Sequence, residues 1–176
     1  MPADRPIDRP ATRALAREDG FTLIELMTVI VVIGVLVAIA FPTFLTAKAR
    51  AQDRAAESDL RTSVVAAKSI FAGTSDFSAV TIAEMRDAEP SLRFVPRNQQ
   101  SSAANDYAVS FRVWNNGEVD MARRSESGDC YYIRTIEQQG FAPSDRPGTY
   151  YGWGIATCHG DQVASFGTTP VSFPGW

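Results

Sequence analysis

Residues Phe21 to Ala47 read FTLIELMTVIVVIGVLVAIAFPTFLTA, 27 positions with a single charge, Glu25. From Leu26 to Ala47, 22 consecutive residues carry none. A helix rises about 1.5 Å per residue and the hydrocarbon core of a bilayer is about 30 Å thick, so roughly 20 such residues suffice to cross it. A secretory signal peptide has an apolar region of only about 7–15 residues and ends at a small-residue cleavage site, and this run outlasts that. A plain transmembrane anchor fits the hydropathy, but it leaves Glu25 unexplained.

An unpaired carboxylate in hydrocarbon costs several kcal/mol, so an acid at the head of such a run calls for a cation. No Lys or Arg lies between Phe21 and Ala47. The partner must come from another chain, from the interface, or from a chain terminus created by cleavage. Gly20 followed by Phe21 is where such a terminus can be made.

The consecutive residues Gly20-Phe21-Thr22-Leu23-Ile24-Glu25-Leu26-Met27 resemble the processing signature of type IV prepilins and the related pseudopilins. The resemblance implies that a dedicated membrane peptidase, the prepilin peptidase, cuts between Gly20 and Phe21 on the cytoplasmic side and methylates the new amine of Phe21. It implies that Glu25 meets the Phe21 amine of a neighbouring copy, and that copies assemble through this helix into a helical homopolymer. A pilus assembly ATPase and an inner-membrane platform are implied as further partners. So are a single-pass membrane location before assembly and an extracellular pilus on the cell surface after it. Opposite charges attract strongly in low dielectric, but desolvation offsets much of the gain, so the Glu25 pair is expected to set register more than to add net stability.

The leader departs from the short basic form common in that family. Arg5, Arg9, Arg13 and Arg17 are balanced by Asp4, Asp8, Glu18 and Asp19. The four Arg are also opposed by Lys48, Arg50 and Arg54 beyond the apolar run, so positive-inside reasoning does not decide orientation. The cytoplasmic leader follows from the resemblance alone. Within the run, Gly34 costs about 1 kcal/mol relative to Ala in a helix and Pro42 about 3 kcal/mol. They read either as a tolerated kink or as a segment that bends or melts when the subunit leaves lipid, as the corresponding Gly and Pro do in relatives.

Ala47 to Ala72 changes character: it is rich in Ala, Arg, Lys, Asp and Glu, and Leu60, Val64, Ala67 and Phe71 fall on one stripe of an amphipathic helix. That stripe is expected to pack on a small sheet, a coiled-coil seam being the alternative. Gly73 with Thr74 and Ser75 marks the expected stop, giving one helix over Phe21–Ala72. Thr74 to Asn105, with Pro90 and Pro96, reads as a surface connection with little regular structure and a short helix around Ile82–Asp87. Tyr107, Val109, Phe111 and Val113 then alternate with other residues and lead into Asn115-Asn116-Gly117, a tight hairpin signal, with the return strand over Glu118–Arg123. Further strands are expected over Cys130–Ile136, Tyr150–Cys158 and Gln162–Phe166. The predicted fold class is α+β, type IV pilin-like: a long N-terminal helix on an antiparallel sheet of four or five strands. The expected divisions are a leader at 1–20, the hydrophobic helix at 21–47, its amphipathic continuation at 48–73 and a globular head at 74–176.

The rest of the composition mainly excludes. Seventeen Lys plus Arg against 20 Asp plus Glu give a formal net charge of -3, so nucleic acid is a conceivable partner that charge does not indicate. Beyond a membrane, Cys130 and Cys158 most economically form one disulfide, worth roughly 3 kcal/mol on the chain-entropy model. A zinc site with His159 lacks a third and fourth ligand, and no metal or cofactor is expected. Neighbouring Cys158 and His159, pointing to opposite faces of a strand, make a poor nucleophile and base, and no phosphate loop or serine elbow occurs, so no enzyme is expected. Scattered Asp and Glu are expected to solvate the head. Tyr131, Tyr132, Tyr150, Tyr151, Trp153, Phe173 and Trp176 are expected mostly in sheet core, or else as an exposed patch for adhesion, stacking on DNA bases or subunit contact. The expected function is a major pilin serving adhesion, motility or DNA uptake. The alternatives are a pseudopilin of a secretion or competence system, a minor pilin, or a membrane-anchored binding domain that never polymerises.

Overall fold

The computed structural model describes residues 20–115, 117–138, 146–154 and 157–163, and the chain divides into two compact units, Met1–Pro42 and Thr43–Trp176. Helix α1, Leu23–Thr74, runs through the boundary between them and lies close to the predicted span. In the first unit its apolar side chains are exposed on every side, from Leu23 at 76% to Ile39 at 70%. A helix that is apolar all round has no stripe to bury against its own chain; such a sequence suits lipid or other copies as solvent. It is long and apolar enough to cross a membrane.

In the second unit α1 becomes amphipathic and covers a five-stranded sheet: β1 Phe94–Pro96, β2 Val109–Asn115, β3 Glu118–Arg124, β4 Cys130–Ile136 and β5 Gly148–Gly154, side by side in chain order. Strands β2 to β5 pair antiparallel with in-register partners such as Met121↔Ile133 and Ile133↔Tyr151. Strand β1 pairs parallel to β2, with Phe94 opposite Val109, so the sheet is mixed where an antiparallel one was expected. It falls in the segment read as irregular. Three residues ending in Pro96 make no local strand pattern, and a proline without N–H is tolerated because β1 is an edge.

Alternation sends Val109, Phe111, Val113, Val119, Met121, Tyr131, Ile133 and Tyr151 to one face, against Ala56, Leu60, Val64, Ala67 and Phe71 of α1. Leu60 and Met121 are completely buried. Each buried side chain of this size contributes about 1.5–3 kcal/mol relative to exposure, so the predicted stripe is where the helix is held. Phe77, Val80 and Met85 close one end of this core, the last on α2, Ile82–Ala88, which Thr81 caps by accepting the Glu84 N–H at 3.2 Å. The stop of α1 differs from expectation: Gly73 lies inside the helix, and Ser75, with φ 56°, takes the left-handed position while its N–H donates to Phe71 O at 2.6 Å.

The opposite sheet face carries Ala122 and Cys130, covered by Cys158 and Val163. Cys130 and Cys158 are joined in a disulfide with Cα atoms 5.5 Å apart. Two strand expectations change here. β5 ends at Gly154, and Thr157–His159 is not strand; residues 155 and 156 lie outside the described residues. Gly160–Val163 is a short helix, α3, where a strand over Gln162–Phe166 was expected, and residues 164–166 lie outside the described residues. Gly160 approaches β2 so closely that a Cβ on it would meet Arg112 N and Phe111 C at 3.0 Å, and its N–H donates to Ser110 Oγ at 3.0 Å. The β2–β3 hairpin forms as expected, with Asn116 outside the described residues. Its register shifts from Val113↔Val119 to Asn115↔Glu118, a bulge at Trp114 that the alternation did not announce.

Candidate processing and assembly segment

The residues expected to matter most sit at the start of α1. Gly20, Phe21 and Thr22 precede the helix and are exposed, Phe21 at 85%. Thr22 is the N-cap: its Oγ1 accepts the Glu25 N–H at 3.2 Å and its carbonyl accepts the Leu26 N–H at 3.2 Å. These satisfy donors that the first turn of any helix leaves orphaned. Glu25 therefore stands at the third helical position, where a carboxylate also favours the positive end of the helix dipole. Its side chain is exposed and, among the described residues, is in no ion pair. Thr28 Oγ1 donates to Ile24 O at 2.8 Å and Glu25 O at 2.9 Å, so its hydroxyl is satisfied within an apolar stretch.

Gly34 and Pro42 both lie inside α1. A Cβ at Gly34 would meet nothing within 4 Å, so no contact among the described residues requires glycine there. Pro42 has no N–H to give to the carbonyl of Ala38, and it stands at the division between the two units.

In the head, the expectation that Asp and Glu solvate the surface holds for Glu84, Asp87 and Glu126 but fails for two others. Glu118 and Asp120 are buried, at 4% and 0% exposure, on the sheet face away from α1. Arg134, on β4 opposite Asp120, donates to Asp120 Oδ1 from Nε at 2.8 Å and to Oδ2 from Nη2 at 3.1 Å, and its Nε lies 3.1 Å from Glu118 Oε1. Trp114 Nε1 donates to Asp120 Oδ2 at 2.6 Å, and Arg112 lies over the Trp114 ring, 3.2 Å from its centroid. Arg112 also pairs with Asp161 of α3 at 3.0 Å. Burial pushes the Asp120 carboxyl above its ordinary range, with the Arg134 and Trp114 bonds opposing. The sequence signal was the outward register of Glu118, Asp120, Arg112 and Arg134 on adjacent strands, which becomes legible only once the pairing is known.

A second polar group joins the β3–β4 turn to α1. Gln52 Nε2 donates to Glu126 Oε2 at 2.9 Å, Ser127 Oγ donates to Asp53, and Arg123 pairs with Asp59. Burial, followed by the nearby Asp53 carboxylate, pushes the Tyr131 phenol up to about 12. Burial also lowers Arg123 below its ordinary value.

The aromatics divide. Tyr131 is in the core, Tyr132 lies over Gly152, leaving no room there for a Cβ, and Trp153 is half-exposed; Phe173 and Trp176 lie outside the described residues. His159 follows the disulfide, and its Nδ1 is buried without a hydrogen-bond partner among the described residues. Among the described residues no group of three or more His, Cys, Asp or Glu is arranged to hold a metal ion.

A capped, all-apolar helix head joined to an amphipathic continuation on a small mixed sheet is a layout consistent with the type IV pilin fold. Residues 15–41 match the family described as "Prokaryotic N-terminal methylation motif". The chain is 44% identical over 62 residues to the type IV major pilin protein PilA of Myxococcus xanthus (strain DK1622), across 35% of this chain and 28% of that relative. The match therefore spans less than a third of the relative's length. No solved structure gives a significant match to this chain.

Proposed function

We propose that this chain is the major structural subunit of a type IV pilus. It is inserted in the membrane as a prepilin with residues 1–20 as leader, cut by prepilin peptidase after Gly20, methylated at Phe21, and polymerised through α1 into an extracellular filament. The observation that carries the reading is the single carboxylate of Glu25, held three residues past the cap of a helix whose side chains from Leu23 to Leu45 are exposed and, Glu25, Thr28 and Thr43 apart, apolar. An acid so placed gains most from a cation on another copy, and cleavage supplies one: the freed Phe21 amine. The likeness to a major pilin over 62 residues supports the same choice. The assembly ATPase and the inner-membrane platform are part of this proposal.

The test is mass spectrometry of filaments sheared from cells. A chain beginning at N-methylated Phe21 as their abundant component is the expected result. Glu25→Ala should still be cut and inserted but should yield few filaments. Normal filaments from that variant would refute the Glu25 pairing, and an uncut chain dispersed in membranes would refute the polymer.

A further inference from the structure

The Thr22 hydroxyl is a feature that the pairing of Glu25 does not use. It accepts the Glu25 N–H, and with it the helix begins at Leu23, so the Gly20–Phe21 bond lies outside α1 and exposed. On the other side of that bond the sequence runs Ala14-Leu15-Ala16-Arg17-Glu18, all of them good helix formers. Helix-favouring sequence thus flanks the bond from both directions, and Gly20 and Thr22 are the residues that resist joining it into one helix. A bond inside a helix has its amide groups engaged and must open before a peptidase can act, so the cleavage rate follows the open population.

We propose that Thr22 is a positioning residue for processing: by capping α1 it fixes the helix start just past the scissile bond and keeps Gly20–Phe21 in a cleavable, non-helical state. This rests on the reading that the chain is cut after Gly20. Thr22 needs no contact with the peptidase in this role, because it acts through the backbone of its own chain.

The test follows the rate at which the full-length chain, in membranes, is cut by a prepilin-type peptidase, with the new N-terminus read by mass spectrometry. Thr22→Val keeps the branched shape and loses the acceptor. Losing a cap shifts the helix-end equilibrium by about fivefold, so cutting should slow by about that factor. Thr22→Ser keeps the acceptor and should stay within about twofold of the parent. Adding Ala16→Gly to Thr22→Val makes a helix through the bond less favourable and should recover most of the rate. A Thr22→Val chain cut at the parental rate would overturn the proposal. So would a slow Thr22→Val that Ala16→Gly does not rescue, because the hydroxyl would then be read by the peptidase itself. A parent chain left uncut would instead overturn the processing reading on which this rests.

Discussion

Replacing Arg134 by Met removes a guanidinium that two buried carboxylates share. The loss comprises the two bonds to Asp120, at 2.8 and 3.1 Å, and the 3.1 Å contact with Glu118, while the methionine fills much of the same volume. Breaking a buried ion pair from one side typically costs about 3–5 kcal/mol, because an uncompensated charge stays behind. Here two of the same sign would remain. Against a total stability of about 5–15 kcal/mol for a domain, Arg134→Met should unfold the head at much lower denaturant. The penalty should also depend on pH in a stated direction. Burial already raises Asp120 above its unfolded value, and without the opposing Arg134 bonds it should rise further. The folded state then holds more protons than the unfolded one, so the variant gains stability as pH falls and loses it as pH rises through the folded pKa of Asp120. Adding Glu118→Gln and Asp120→Asn removes the stranded charges and should return stability at neutral pH to within about 2 kcal/mol of the parent. Urea unfolding of the detergent-solubilised chain, followed by tryptophan emission, reads this directly, since Trp114 donates to Asp120. A single variant costing under about 1 kcal/mol, or a triple variant as unstable as the single, would refute the reasoning.

Replacing Cys130 and Cys158 together by Ser should lower stability by about 3–4 kcal/mol, since the bond closes a separation of 28 residues. Parallel denaturation of the parent with and without reductant checks it. The Tyr131 phenol, pushed up to about 12 from an ordinary 10.0, stays protonated in the folded head where the unfolded chain would ionise. Stability should therefore fall between those two pH values, and Asp53→Asn should bring the phenolate absorbance transition to lower pH. With the Glu25→Ala filament yield and the Thr22→Val cutting rate, these perturbations address the head and the helix start separately.

What could be read from the residues followed how local the cause was. The helix over 21–72 was legible because a charge-free run and the Leu60-Val64-Ala67-Phe71 stripe are both short-range patterns, and its observed limits, Leu23–Thr74, differ by two residues at each end. Cys130–Ile136 and the hairpin at Asn115–Gly117 were legible for the same reason. Strand β1 was not, because its reason to exist is a parallel partner beyond an intervening loop. Neither was α3, whose place depends on Gly160 fitting against β2 and on Cys158 being tied to β4. At the helix start, Gly20, Phe21 and Glu25 stood out as a motif, while the capping role of Thr22 needed the 3.2 Å bond to be seen. The Glu118–Asp120–Arg134 group was hidden because acidic residues in a strand look solvated until their neighbours across the ladder are known.

The sheet is laid down in the order in which the chain is written, each strand beside its predecessor. A polypeptide threaded through a membrane with its N-terminal end held back would present β1 first and β5 last, and every arriving strand would find its docking edge already built. Within the sheet, neighbours in space are then neighbours in sequence, and the stretch bearing Cys158 comes last, returning across β2 to be riveted to β4.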